Sequence, residues 1–122
     1  MPTKSLATYA DQKEAQKGLA PHVGAGKRLT ALGQALNAAY DGKGKDSGKH
    51  KVDGEDTHVL HASAGKLGAD QSVTLFYFFK GTVFHLLALA EHVTNDTYKI
   101  DTDLGQDEPP FQKKKTVGPG GK

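Results

Sequence analysis

Six histidines stand in a chain that has no cysteine, so side-chain chemistry here rests on imidazole, amine, phenol and carboxylate groups and not on thiolates. His58 and His61 lie three residues apart in a segment that reads as a strand, HVLHA, and an odd spacing sends two strand side chains to opposite faces. His85 and His92, seven apart on another strand, are expected to diverge in the same way. No H-x-H or H-E-x-x-H pattern occurs, so no metal site is expected. A serine nucleophile has as little support. Ser63 and Ser72 are the serines nearest the strand histidines, and neither sits in a G-x-S-x-G turn.

What remains is acid/base chemistry without a cofactor. Cleavage of a phosphodiester by the neighbouring ribose 2′-hydroxyl needs one group to take the hydroxyl proton and another to protonate the leaving oxygen. It also needs cations over the phosphate. His61, His92 and Tyr98 are the candidates for proton transfer, and Lys49, Lys51 and Lys66 for the phosphate. His92 ends its strand beside a polar turn, VTND, where a titratable group meets solvent and substrate. His85 is expected on an apolar face with Phe76, Phe78, Val83, Leu87 and Leu89, as a buried or edge histidine. His22 reads as an exposed interhelical residue, and His50 falls in a lysine-rich loop.

The element that must position these groups is Ser72–Val93. Val73–Phe79 is β-branched, aromatic or Leu throughout, Lys80–Gly81 makes a turn, and Thr82–Val93 runs back, which predicts a central β-hairpin apolar on both faces. Upstream, Met1–Leu19 predicts a short extended lead at Thr3–Thr8 and a helix ended by Gly18 and Pro21. After the joint Gly24–Gly26, Leu29, Leu32, Leu36 and Ala39/Tyr40 mark one face of a second helix, with Lys27, Arg28, Gln34 and Asn37 on the other. Asp41–Lys51 reads as a mobile loop without Walker spacing, His58–Ala62 as a strand, Ser63–Gln71 as a connection and Thr97–Asp101 as a last strand. The expected fold is α+β, a helical hairpin at the N-terminus packed on a meander of three or four antiparallel strands. One domain over residues 1–101 and a disordered tail over 102–122 complete the expected organisation.

Composition bounds the functions. The apolar fraction is 36% with 15 glycines, so the core is small. No apolar run approaches the roughly 20 residues of a spanning helix, and Met1–Ala20 has no apolar secretion segment, which makes a soluble, cytoplasmic protein the expectation. Net charge is only +2, but Lys43, Lys45, Lys49, His50 and Lys51 cluster, as do Lys113–Lys115. Such patches suit phosphate contacts.

The order of a lead strand, two helices and an antiparallel meander, with the runs KLGADQSVTLFYFF and GTVFHLLALAEHVTNDTY, resembles the RelE/ParE-like bacterial toxin superfamily over about Leu6–Ile100. A barnase/colicin-like ribonuclease toxin domain is a related resemblance. The resemblance implies ribonuclease activity on RNA, free or ribosome-bound, and a cognate antitoxin or immunity protein as partner. It sets the catalytic basic residue on His92, the C-terminal Tyr on Tyr98 and, more loosely, the phosphate lysines on Lys49, Lys51 and Lys66. Ribonuclease members commonly carry Arg on the central strand, whereas Ser72–Phe79 has no basic residue. The expectation is therefore a metal-independent ribonuclease toxin without cofactor. The alternative is a non-catalytic module of the same fold that binds nucleic acid or an acidic protein. A third reading takes Phe76, Phe78, Phe79 and Phe84 as the wall of an apolar ligand site.

Overall fold

The computed structural model describes residues 7–52, 54–68, 71–94, 97–100 and 115–117. A short strand, β1 (Ala7–Tyr9), leads into α1 (Gln12–Val23) and α2 (Lys27–Tyr40). The chain then forms β2 (Lys45–Val52), β3 (Glu55–Gly65), β4 (Ser72–Lys80), β5 (Val83–Thr94), β6 (Thr97–Ile100) and β7 (Lys115–Val117). Strands β2 to β6 make an antiparallel meander in sequence order, and β7 joins parallel to β6. β1 pairs with the first part of β5, at Phe84–Leu86, while β6 pairs with its last part, at Ala90–Thr94.

The α+β class agrees with the sequence reading, with two corrections to its architecture. The helices do not open the fold, because β1 precedes them and enters the sheet; and the sheet has seven strands, not three or four. Composition hides two of the extra strands. β2 arises from the glycine- and lysine-rich stretch read as a loop, where it is held by its ladder to β3 and by the buried Ser47 and Val52. β7 falls within the segment read as a tail; the neighbouring residues 101–114 and 118–122, Phe111 among them, lie outside the described ones.

Local chemistry explains the helices. The Asp11 side chain accepts a hydrogen bond from the Glu14 backbone N–H at 2.8 Å, which caps α1. Gly18 and Pro21 do not end that helix, which continues to Val23. Gly18 instead admits the Tyr9 ring of β1, since any Cβ there would come within 3.0 Å of the phenol oxygen and closer still to the ring. In α2 the inward stripe is Arg28, Ala31, Leu32, Ala35, Leu36 and Ala39, a 3/4 spacing displaced from the expected one. Leu29, expected inside, is exposed, and Arg28, expected outside, is buried.

The sheet buries residues on both faces. Val73, Leu75, Tyr77, Phe84, Leu86 and Leu89 pack under the helices, and Val52, Val59, Phe76, Leu87, Ala88 and Ala90 form a smaller cluster on the other face. α2 lies on β3 and β4, and α1 lies on α2. Phe76 pairs with Ala88 while Tyr77 pairs with Leu86, so Leu87 is an extra residue on β5. That bulge reverses the strand's parity. Leu89 turns to the helix face, and register positions 85 and 92, expected on opposite faces, fall on the same one.

Candidate functional site

The register gathers one group of candidates at the end of the sheet where α2 begins. Gly65 pairs with Ser72, and Thr74 pairs with Ala90, so the same row continues from Ser72 to position 92 of β5. His92 in turn stands directly opposite Tyr98 on β6. Two strand spacings separate Gly65 from His92, about 10 Å between backbones. Lys66, which follows Gly65, therefore lies at the same end of the sheet as the His92/Tyr98 pair.

Arg28 ties α2 to this end. Its Nε donates to the Ser72 carbonyl oxygen at 2.8 Å, its Nη2 donates to the Ala90 carbonyl oxygen at 3.4 Å, and Nε stands 3.8 Å from Glu91 Oε2. Arginine and glutamate are both buried, so the guanidinium meets the start of β4 and the later part of β5 with its charge compensated. Sequence reasoning missed Arg28 because its polarity placed it on the solvent face. The 28/31/32/35/36/39 spacing was the available signal.

A cleft of about 290 Å³ opens beside this anchor, lined by Lys27, Thr30, Ala31 and Gln34 of α2 and by Gly65, Lys66 and Gln71. Lys27 is the other cation that sequence reasoning left aside.

The remaining candidates lie elsewhere. His61 occupies the row of Phe76 and Ala88, four residues along β5 and two strands across from His92, which is about 16 Å between backbones. Its Nδ1 is 2.7 Å from the buried Ser47 hydroxyl on the β2 bulge, and its ring lies 5.9 Å from that of Phe76. His61 thus helps fasten β2 to β3. Lys49 pairs with His58, and Lys51 pairs with Asp56 in the sheet and lies 3.8 Å from its carboxylate. Nine residues of β3 separate Asp56 from Gly65, about 30 Å, so Lys51 and Lys66 cannot hold one phosphate. His58 contacts the Asp46 carboxylate, and His85 stacks on Phe78 with ring centroids 4.5 Å apart, as its apolar neighbours led one to expect. His22 is in the last turn of α1, and His50 pairs with Thr57.

The phenols of Tyr9, Tyr40 and Tyr77 belong to the core under the helices. Burial raises all three above the usual tyrosine range, and for Tyr40 the carboxylates of Asp11 and Glu14 add to the effect. They are therefore neutral at physiological pH. Among the described residues no three metal-ligating side chains converge, and no helix is long and apolar enough to cross a membrane.

No protein-family model matches the chain, and neither a curated protein nor a solved structure is significantly similar to it. The functional conclusion therefore rests on the residues and their arrangement.

Proposed function

We propose that the chain is a metal-independent endoribonuclease of the toxin type whose proton-transfer pair is His92 and Tyr98, with Lys66 as a phosphate contact. The observation that carries this reading is the cross-strand pairing of His92 with Tyr98 at the sheet end that also bears Lys66. The element order of a lead strand, two helices and an antiparallel meander supports the RelE/ParE-like toxin resemblance on which the reading draws.

In the proposed reaction neutral His92 takes the proton of a ribose 2′-hydroxyl, and the freed oxygen attacks the adjacent phosphorus. The bond to the 5′-oxygen breaks as the Tyr98 hydroxyl protonates it, leaving a 2′,3′-cyclic phosphate. Lys66 offsets the negative charge of the phosphate chain. His61 is not used, because it lies too far from His92 to share one phosphate. The substrate is RNA, free or ribosome-bound, in the cytoplasm, and a cognate antitoxin or immunity protein covers the sheet end in the producing cell.

Expression without a partner should arrest growth, and His92→Ala or Tyr98→Phe should relieve the arrest. Purified protein should cut total RNA in chelator. Soluble protein that leaves growth and RNA intact would sink the proposal.

A second reading, a non-catalytic nucleic-acid or acidic-protein binder, is favoured by a different observation. Lys45, Lys49 and Lys51 lie along β2, the edge of the sheet, well away from His92. Salt-dependent RNA binding without any cleavage would select it.

A further inference from the structure

We propose that the cleft between α2 and the β3–β4 connection is a phosphate-binding site for the RNA chain, taking a phosphate that flanks the one cleaved; this rests on the ribonuclease reading above. Lys27 and Lys66, from elements far apart in sequence, line one cleft of about 290 Å³, which is at the small end for ligand sites. Thr30 and Gln34 line it as well, adding hydroxyl and amide donors, while the Gln71 side-chain amide in the same wall donates to the Leu67 carbonyl oxygen at 3.3 Å. No carboxylate occurs among the described lining residues, and neither lysine has an ion-pair partner among the described residues. Two other lysines are compensated: Lys51 lies 3.8 Å from Asp56 and Lys80 lies 3.6 Å from Glu55.

The wall of the cleft depends on a close backbone approach. Gly65 has φ +92°, and a Cβ there would collide with the Gln71 carbonyl oxygen and come within 2.8 Å of Ser72 Cα. This approach sets Lys66 and Gln71 in the same wall. A larger cleft, lined by Gln12, Lys13, Gln16, Lys17, Gly33 and Asn37, lies between α1 and α2. There both lysines, Lys13 and Lys17, come from one helix, α1, and face no cation from the opposite wall among the described residues. The smaller cleft lies on the α2 side of the row that ends at position 92, which itself falls on the face away from α2, so an RNA chain that reaches both passes over the end of the sheet.

The test titrates the full-length chain with inorganic phosphate, and separately with a 2′-deoxy hexanucleotide that cannot be cleaved, while amide NMR shifts are followed. Both probes should shift Lys27, Thr30, Lys66 and Gln71, with the oligonucleotide binding more tightly than phosphate and displacing it. Lys27→Ala/Lys66→Ala should weaken both by at least tenfold without changing the melting temperature. Binding of phosphate but not of the oligonucleotide would overturn the assignment to an RNA chain, and undisturbed amides with either probe would overturn the site itself. The two proposals fail separately. Lysine-dependent oligonucleotide binding in a protein that cuts no RNA removes the ribonuclease and keeps the cleft. Cleavage of RNA by the unaltered protein, with no shifts at these amides under either probe, removes the cleft and keeps the His92/Tyr98 ribonuclease.

Discussion

Tyr77 is the side chain on which the core makes its clearest demand. Its ring stacks on Phe84 with centroids 5.2 Å apart and meets Phe79 edge-on at 5.8 Å, yet its hydroxyl is buried without a hydrogen-bond partner among the described residues. Burial pushes the phenol up to about 12, against about 10 for an unfolded tyrosine. The folded state thus keeps this proton where the unfolded state has lost it. Stability from this group is complete below pH 10 and falls as pH rises from 10 to 12, at a slope of up to about 1.4 kcal/mol per unit. Tyr77→Phe should remove this share of the alkaline fall, leaving that of Tyr9 and Tyr40, and, because no hydrogen bond to a described residue is lost, leave stability at pH 7 unchanged or up to about 1 kcal/mol higher. Urea unfolding of both proteins at pH 7, 10 and 11 measures it; an equal alkaline fall in the variant would refute the assignment. Gly44 tests the same contact from above, since a methyl there would overlap the Tyr77 hydroxyl. Gly44→Ala should cost about 1–3 kcal/mol and clearly less in the Tyr77→Phe background, a coupling that a double-mutant cycle reads directly.

At the scale of elements, the junction of α2 with β4 and β5 hangs on one arginine. Replacing Arg28 by Met takes the guanidinium from the buried Glu91 carboxylate and from the Ser72 and Ala90 carbonyls, a change expected to cost about 3–5 kcal/mol. Arg28→Met combined with Glu91→Leu should cost distinctly less, as seen in urea midpoints; equal costs would show that the two charges are not coupled. The same residue shows how much the sequence discloses. The β4–β5 hairpin was legible, because its apolar run and Lys80–Gly81 turn follow from side-chain type alone. α2 was legible as a helix, but its rotation was not, since a buried arginine looks like a surface residue until its partners arrive from Ser72, Ala90 and Glu91. β2 was illegible for a related reason. A lysine-rich strand at a sheet edge suits protection against edge pairing, but its composition is that of a loop. The Leu87 bulge also left no mark, and with it register positions 85 and 92 were expected on opposite faces when they share one. His92, Tyr98 and Lys66 were named from sequence as candidates; that they share one sheet end depends on register, which only the paired strands supply.

For the whole molecule, a net charge of +2 is too small to draw RNA to the surface indiscriminately, so the positions of the cations must decide where a nucleic acid lies. Two groups compete. Lys27 and Lys66 line the cleft at the sheet end, while Lys45, Lys49 and Lys51 follow β2, whose far end is about 30 Å from Lys66. Each lysine that neutralises a phosphate of a single strand adds about 0.7 to the slope of log affinity against log salt. A chain bound across the sheet end should therefore lose about 0.7 of slope with Lys66→Ala and as much with Lys27→Ala. Lys51→Ala should leave the slope unchanged, and the Asp56 carboxylate 3.8 Å from that lysine works in the same direction. An RNA laid along β2 reverses the order, with Lys49 and Lys51 carrying the slope and Lys66 silent. Filter binding of one RNA oligonucleotide over a range of potassium chloride concentrations, with His92→Ala in every variant to suppress cleavage, distinguishes the two. Dependence on Lys66 supports the site at the sheet end, and dependence on Lys49 and Lys51 supports the non-catalytic binder, because a phosphate chain held along β2 would lie too far from Tyr98 for that hydroxyl to protonate a leaving oxygen.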